Sequence, residues 1–265
     1  MRSDSFSTLF PTIKPIIGMI HLLPLPNTPA YENNWQQIVD HAVAEAIYYQ
    51  KTGIDAVMIE NMHDTPYVNG YATPEVIAAM SIIAHKIKSA INLPCGIQIL
   101  AGANKAALAV AKAAQLDFVR VEGFVFGHVA DEGWIDAQAG ELLRYRRQID
   151  AQHILVWTDI KKKHAAHALT QDVNLLETAH AAQFFRSDGV IITGSATGQA
   201  TDLVALQTLQ NKVKLPIIIG SGITADNLPQ YFSLADAFIV GSYFKENGHW
   251  ANALNHERIL RLMEV

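Results

Sequence analysis

Several polar residues stand where short apolar runs stop: His21, Glu60, Gln98, Glu122 and Asp159. A side chain at the carboxyl end of a buried strand can turn into a ligand-binding mouth. Five such residues at corresponding ends point to chemistry rather than to isolated satisfied core groups. The most informative local motif is Asp159-Ile-Lys161-Lys-Lys163-His164. If a strand continues through it, alternation places Asp159 and Lys161 on one face. A carboxylate beside an ammonium keeps both charged, and such a couple could shuttle protons or hold an enediolate. The bland alternative is a solvated basic loop with an ordinary salt bridge. In the chemical reading Asp159 is the base and Lys161 its electrophilic partner. Glu122, Glu60 and His21 orient the substrate, and His164 is a further catalytic candidate. Lys161 could instead form a Schiff base, although no neighbour in the sequence visibly lowers its pKa.

A second set of residues suits an anion. Gly194-Ser195 and Thr197-Gly198, then Gly220-Ser221-Gly222, then Gly241-Ser242, follow three successive apolar runs. Glycine at such corners leaves backbone N–H groups open to a phosphate. The competing explanation is packing clearance between helices and strands. Six histidines, His21, His63, His128, His164, His167 and His249, also lie at or beyond run ends, where acid–base work or metal ligation would suit them. No H-x-H or H-E-x-x-H spacing occurs, so a zinc site is not expected. A divalent ion on Glu60, Glu122 and Asp159 is the metal alternative, and no other cofactor is predicted.

These residues need a scaffold that gathers strand ends. Apolar runs fall at residues 15–21, 56–60, 95–100, 118–121, 154–159, 189–193, 216–220 and 237–240, and helix-sized segments lie between them. Their lack of polar alternation fits parallel strands covered on both faces. Helices are expected from residue 33 or 34 to 52, then over 73–91, 104–114, 141–149, 174–185, 201–212, 224–234 and 252–263. Thr73-Pro74-Glu75 is a clear helix start. Strict strand–helix alternation calls for right-handed crossovers and a parallel sheet. Eight units favour closure into a single α/β (β/α)8 TIM barrel. The open doubly wound alternative would want G-x-G-x-x-G after the first strand, where the chain reads Gly18-Met-Ile-His21. In such a barrel a phosphate often sits on the loops after strands seven and eight.

Composition sets the remaining bounds. The chain of 265 residues is read as one domain, 1–265, with residues 1–14 as a loose N-terminal segment. With 50% hydrophobic and 17% charged residues, disorder is excluded. A net charge of −5 gives no field to recruit nucleic acid. The single cysteine, Cys95, cannot form an internal disulfide, so a cytoplasmic setting and a core role are expected. No signal peptide or transmembrane run is apparent. Apolar helix faces make a homo-oligomer the expected state.

Taken together, these segments resemble the BtpA family. The resemblance is carried by Gly18-Met-Ile-His21-Leu-Leu-Pro-Leu-Pro26, Asp55-Ala-Val-Met-Ile-Glu-Asn61, Leu142-Leu-Arg-Tyr-Arg146 and Asp159-Ile-Lys-Lys-Lys-His164-Ala. Ile192-Thr-Gly-Ser-Ala-Thr-Gly198, Gly220-Ser-Gly-Ile-Thr-Ala-Asp-Asn227, Ile239-Val-Gly-Ser-Tyr-Phe-Lys245 and Arg261-Leu-Met263 complete it. It covers residues 15–263 and implies a barrel similar to the ribulose-phosphate-binding group. The family's named role is in photosystem I biogenesis, while other members look like enzymes of sugar metabolism. The resulting expectation is an enzyme acting on a phosphorylated sugar or similar small metabolite by lyase- or isomerase-type proton transfer. The alternative is a non-catalytic assembly or biogenesis factor with a vestigial pocket. The enzyme reading requires the glycine corners and the Asp159–Lys161 couple to open onto one rim.

Overall fold

In the computed structural model, which describes residues 4–11, 14–194 and 198–265, a short helix α1 (Asp4–Leu9) precedes β1 (Ile16–His21). The chain then alternates through α2 (Trp35–Lys51), β2 (Ala56–Glu60), α3 (Pro74–Ala90), β3 (Cys95–Gln98), α4 (Asn104–Ala114) and β4 (Phe118–Val121). A hairpin, β5 (His128–Ala130) and β6 (Gly133–Ile135), leads to α5 (Ala139–Gln148) and β7 (Leu155–Asp159). The two-residue β8 (Ala165–Ala166) is followed by α6 (Leu175–Phe184), β9 (Gly189–Ile192), α7 (Leu203–Leu209) and β10 (Ile217–Ile219). Then come α8 (Leu228–Phe232), β11 (Ala237–Val240) and α9 (His256–Met263). Strands in the order β1-β11-β10-β9-β7-β4-β3-β2 close into one barrel. Its pairings are parallel throughout. This is the expected (β/α)8 TIM barrel.

The two faces of each strand divide the core. Outward residues such as Ile20, Ile59, Ile97, Val119 and Val156 pack under the helices. Inward residues fill the barrel: Ile17 and Met19, Ala56 and Met58, Phe118, Leu155 and Trp157, Ile191, Ile218, Ala237 and Ile239. Alternation with a period of two puts these in layers. Local chemistry fixes the helix starts. Pro74 and Glu75 open α3 as expected, and Asn174 with Glu177 forms a reciprocal capping box on α6.

Three details depart from the sequence expectation. Residues 4–10 are not loose: Phe6 and Phe10 are buried, and their rings lie 5.9 and 6.5 Å from the Trp157 ring inside the barrel. Burying two phenylalanines outweighs the entropy of ordering one short helix. The loops after β4 and β7 are not plain coil either, because β6, β5 and β8 join in a small antiparallel sheet. Finally, α7, α8 and α9 are shorter than residues 201–212, 224–234 and 252–263, α8 most of all. Thr224 N–H donates to Asn227 Oδ1, and Asn227 N–H donates to Thr224 Oγ1. That reciprocal turn delays α8 to Leu228.

Candidate active site

The inward parity that is apolar in the lower layers becomes polar at the carboxyl ends. His21 pairs in register with Glu60, and Glu60 with Gln98, so three neighbouring strands present a row of polar side chains. Arg120 and Asp159 continue the inward positions of β4 and β7, and Glu122 follows β4. Together with Lys162, Lys163 and His164 they line a cavity of about 570 Å³. Gly198, Gly220, Ser221, Gly222, Gly241 and Ser242 line the same cavity. Gly198, Gly220, Gly222, Gly241 and Asp159 thus share one rim.

At the centre of the site Arg120 grips Asp159 with both ends of its fork, Nε to Oδ2 at 2.8 Å and Nη2 to Oδ1 at 2.9 Å. Burial works against the guanidinium charge, but the Asp159 carboxylate, with Glu60 and Glu122, overrides it and raises the Arg120 pKa. Both Asp159 oxygens therefore hold Arg120, and the carboxylate fixes the direction of the guanidinium. Lys162 Nζ lies 3.2 Å from Glu122 Oε1. Burial pushes the Glu122 carboxyl upward against the opposing pull of Lys162.

His21 and Glu60 form a second pair. Their Nε2 and Oε2 atoms are 3.5 Å apart, and both side chains are buried. His21 Nδ1 lies 3.0 Å from the Trp250 carbonyl oxygen. A carbonyl only accepts, so Nδ1 carries the proton and the Nε2 lone pair faces Glu60. Burial, helped by the charge of Lys245, lowers the His21 pKa to about 3, and the imidazole is neutral. Burial also raises the Glu60 pKa, against the attraction of Arg120 and Lys163. Lys163 is lowered by burial and then by Arg120, with Glu60 and Asp159 opposing.

The Asp159–Lys161 couple does not form. The strand ends at Asp159, and Lys161 takes a left-handed φ of 48°, so alternation stops before it can act. Lys161 Nζ instead donates to the Thr170 carbonyl and hydroxyl at 2.7 and 3.2 Å, away from the main cavity. The lysines that reach the cavity are Lys162 and Lys163.

The glycine corners are more mixed than a plain anion cradle. A Cβ on Gly241 would come within 3.2 Å of His21 Cε1. One on Gly220 would meet Ile191 Cγ2 at 2.5 Å and Arg120 Nη2 at 3.5 Å. These two glycines give the catalytic candidates room. Gly194 does not line the cavity. Its N–H donates to Ser221 Oγ at 2.9 Å, and with Gly222 it encloses the Gln199 carbonyl. Ser195 and Thr197 lie outside the described residues.

Among the other histidines, the His128 and His167 rings lie 5.4 Å apart, tilted by 38°, outside the main cavity. His63 Nδ1 bonds the Leu22 carbonyl at 2.7 Å. Among the described residues no group of three or more His, Cys, Asp or Glu side chains is arranged to hold a metal ion. Glu122 and Asp159, assigned to that role with Glu60, face lysine and arginine instead. Cys95 is buried and its thiol pushed up to about 12 by burial.

Sequence reasoning left Arg120 without a role, although it stands two residues before Glu122 and shares its inward parity. Trp250 and Arg258, which also line the cavity, arrive from beyond the last strand and carried no signal. Among the described residues no helix is long and apolar enough to cross a membrane.

The chain is similar to solved barrels at the level of fold alone: Mycobacterium tuberculosis tryptophan synthase (TM-score 0.62, 13% identity, 99% of this chain and 96% of that one) and Thermus thermophilus phosphoribosyl anthranilate isomerase (0.58, 14%, 94% and 96%). Pyrococcus furiosus thiamine phosphate pyrophosphorylase follows (0.56, 14%, 95% of both). In sequence it is 45% identical to a mitochondrial protein of Caenorhabditis elegans, covering 97% of this chain and 95% of the relative. It is 32% identical to the photosystem I biogenesis protein BtpA of Synechocystis, covering 99% and 91%. Residues 12–265 match the BtpA family as a whole, and the chain belongs to that family.

Proposed function

We propose that the protein is an enzyme that moves protons on a phosphorylated sugar or similar small metabolite, a lyase or isomerase in type. The observation that carries this reading is the buried His21–Glu60 pair at 3.5 Å, with the imidazole held neutral and the carboxyl raised. Such a pair suits acid–base work. Glu60 in its carboxylate form takes a proton from the carbon beside a carbonyl, leaving an enediolate, and the neutral His21 imidazole positions that carboxylate. The hydroxyl proton of the enediolate passes to the former carbonyl oxygen, and Glu60 returns its proton to the carbon bearing that new hydroxyl, which completes an isomerisation. Arg120, aimed by Asp159, and Lys163 stabilise the developing oxyanion. Lys163 therefore takes the electrophilic role first given to Lys161. The loops after β9, β10 and β11 supply the phosphate site, and two of the solved neighbours bear names of enzymes with phosphorylated substrates.

The test follows carbon-bound protons of sugar phosphates in deuterium oxide by NMR, after a thermal-shift screen selects the ligand. Glu60→Gln should slow exchange by about 10²–10⁴-fold while leaving ligand-induced stabilisation in place. Exchange at the wild-type rate in Glu60→Gln sinks the mechanism. If no phosphorylated ligand stabilises the protein, the assembly-factor reading suggested by the name of the Synechocystis relative replaces it.

A further inference from the structure

The cavity has two chemically different walls. In the closed strand order, β3 and β4 lie diametrically across the barrel from β10 and β11. On the β10–β11 side the lining includes Gly222, Ser242, Tyr243, Gly248 and Arg258. Arg258 has no carboxylate partner among the described residues, unlike Arg120 and Lys162. Its Nη1 makes only long bonds, to the Tyr243 carbonyl at 3.5 Å and the Lys245 carbonyl at 3.4 Å. The guanidinium also sits 5.6 Å from the Tyr243 ring. A planar fork left with donors to spare beside glycine corners fits an anion.

The opposite wall carries unpartnered acceptors, and the cations beside them, Arg120 and Lys162, are already held by Asp159 and Glu122. Gln98 and Glu122 are 2% and 7% exposed, yet Gln98 Oε1 and Glu122 Oε2 have no hydrogen-bond partner. Asp131 and Glu132, between the strands of the β5–β6 hairpin that follows β4, add two more carboxylates to the lining. Unpartnered buried acceptors favour donors, and whichever protonation state Glu122 holds, Oε2 keeps lone pairs to receive one. A second anion at this wall would meet the carboxylates of Glu122, Asp131 and Glu132 that line it.

We propose that the ligand is bipolar: its phosphate docks against Arg258 on the β10–β11 side, and its opposite end carries hydroxyl or amino donors, with no second anionic group, against Gln98, Glu122, Asp131 and Glu132. This rests on the phosphate reading above and narrows it to neutral or amino sugar phosphates, excluding sugar-acid phosphates. Arg258 becomes the residue that sets ligand orientation.

Isothermal titration with glucose 6-phosphate, glucosamine 6-phosphate and 6-phosphogluconate tests it, because the three share the phosphate end and differ at the other. The first two should bind at least tenfold tighter than 6-phosphogluconate. Arg258→Met should weaken all three tenfold or more, and inorganic phosphate with them, while Arg258→Lys should recover part of the loss. Circular dichroism of both variants reports that the barrel is intact. Asp131→Asn with Glu132→Gln should bring 6-phosphogluconate toward parity and leave inorganic phosphate unaffected. Equal or tighter binding of 6-phosphogluconate by the wild type overturns the inference while sparing the phosphate reading. So does unchanged binding in Arg258→Met. Failure of all three sugars to bind overturns it too, and loss of inorganic phosphate binding as well takes the phosphate reading with it.

Discussion

The two ends of this barrel use the same strand geometry for opposite purposes. At the amino-terminal end the inward positions are mostly large and apolar: Phe118 stacks on Trp157 at 4.1 Å between ring centroids, and Phe6 of α1 and Phe10 just after it pack against Trp157. Two residues further along the same strands the inward side chains are Glu60, Gln98, Arg120 and Asp159, and every one is buried. The lower end gains stability from each side chain it hides. The upper end hides charges that cost free energy unless a partner or ligand answers them. Stability and chemistry are thus separated by two strand residues, about 7 Å of rise.

Replacing the centre of the lower plug should produce the largest change. Trp157→Ala should lose stability toward the upper end of ~3–5 kcal/mol in urea titration. Trp157→Phe should cost far less, since it also removes an indole N–H that has no partner. Sugar-phosphate affinity of the folded Ala variant should match the wild type. A stability loss under about 1 kcal/mol would erase the contrast between the ends.

At the upper end, Arg120→Met should cost about 3 kcal/mol, because it strands the Asp159 carboxylate. The figure sits low in the usual range because Asp159 borders a cavity that water can enter. Adding Asp159→Leu should restore most of that stability without restoring ligand binding. A double variant as unstable as the single one would mean that the pair stabilises the fold in its own right.

A smaller and sharper contrast lies in pH. His21 has a folded pKa of about 3 against an ordinary 6.5. Between those values the unfolded chain binds a proton that the native state refuses, so stability falls as pH drops. From pH 6.5 to 5.5 the loss is about 1 kcal/mol for this group. Glu60 and Glu122 act in the opposite sense: their raised folded pKa values stabilise below 4.5, and this is lost as pH rises through the folded values. The difference between wild type and His21→Asn isolates the histidine, and the variant should show the shallower acid slope in urea titrations. Parallel slopes would mean that the imidazole titrates normally.

The fold was legible because its signals are local. Apolar runs, the Thr73-Pro74-Glu75 start and the acids at run ends mark strands and helices without any knowledge of neighbours. The row of His21, Glu60 and Gln98 follows from strand register alone. Legibility ended where the chain leaves regular structure. Phe6 and Phe10 lie in a segment too short for periodicity, so their burial against Trp157 left no pattern. Gly220 and Gly241 were ambiguous because the same missing side chain serves an anion or makes room for Arg120 and His21. Trp250, whose carbonyl sets the His21 tautomer, belongs to the loop beyond β11.

The three consecutive lysines after β7 give the smallest expected effect and test where that legibility stops. Strand alternation favoured Lys161, but the left-handed turn at that residue sends its ammonium to Thr170 and delivers Lys162 and Lys163 to the cavity. Lys161→Ala removes two hydrogen bonds from a partly exposed group, so stability should change by about 0.5 kcal/mol or less. Turnover of any sugar phosphate should stay within twofold of wild type, roughly a 0.4 kcal/mol change in barrier. Lys163→Ala, by contrast, removes a cation from the electrostatic field around Glu60 and Asp159. It should cut turnover about 10²-fold or more. If Lys161→Ala proved the damaging substitution and Lys163→Ala the silent one, the turn would have to rearrange when ligand binds, and strand alternation would have been the better guide to the working site.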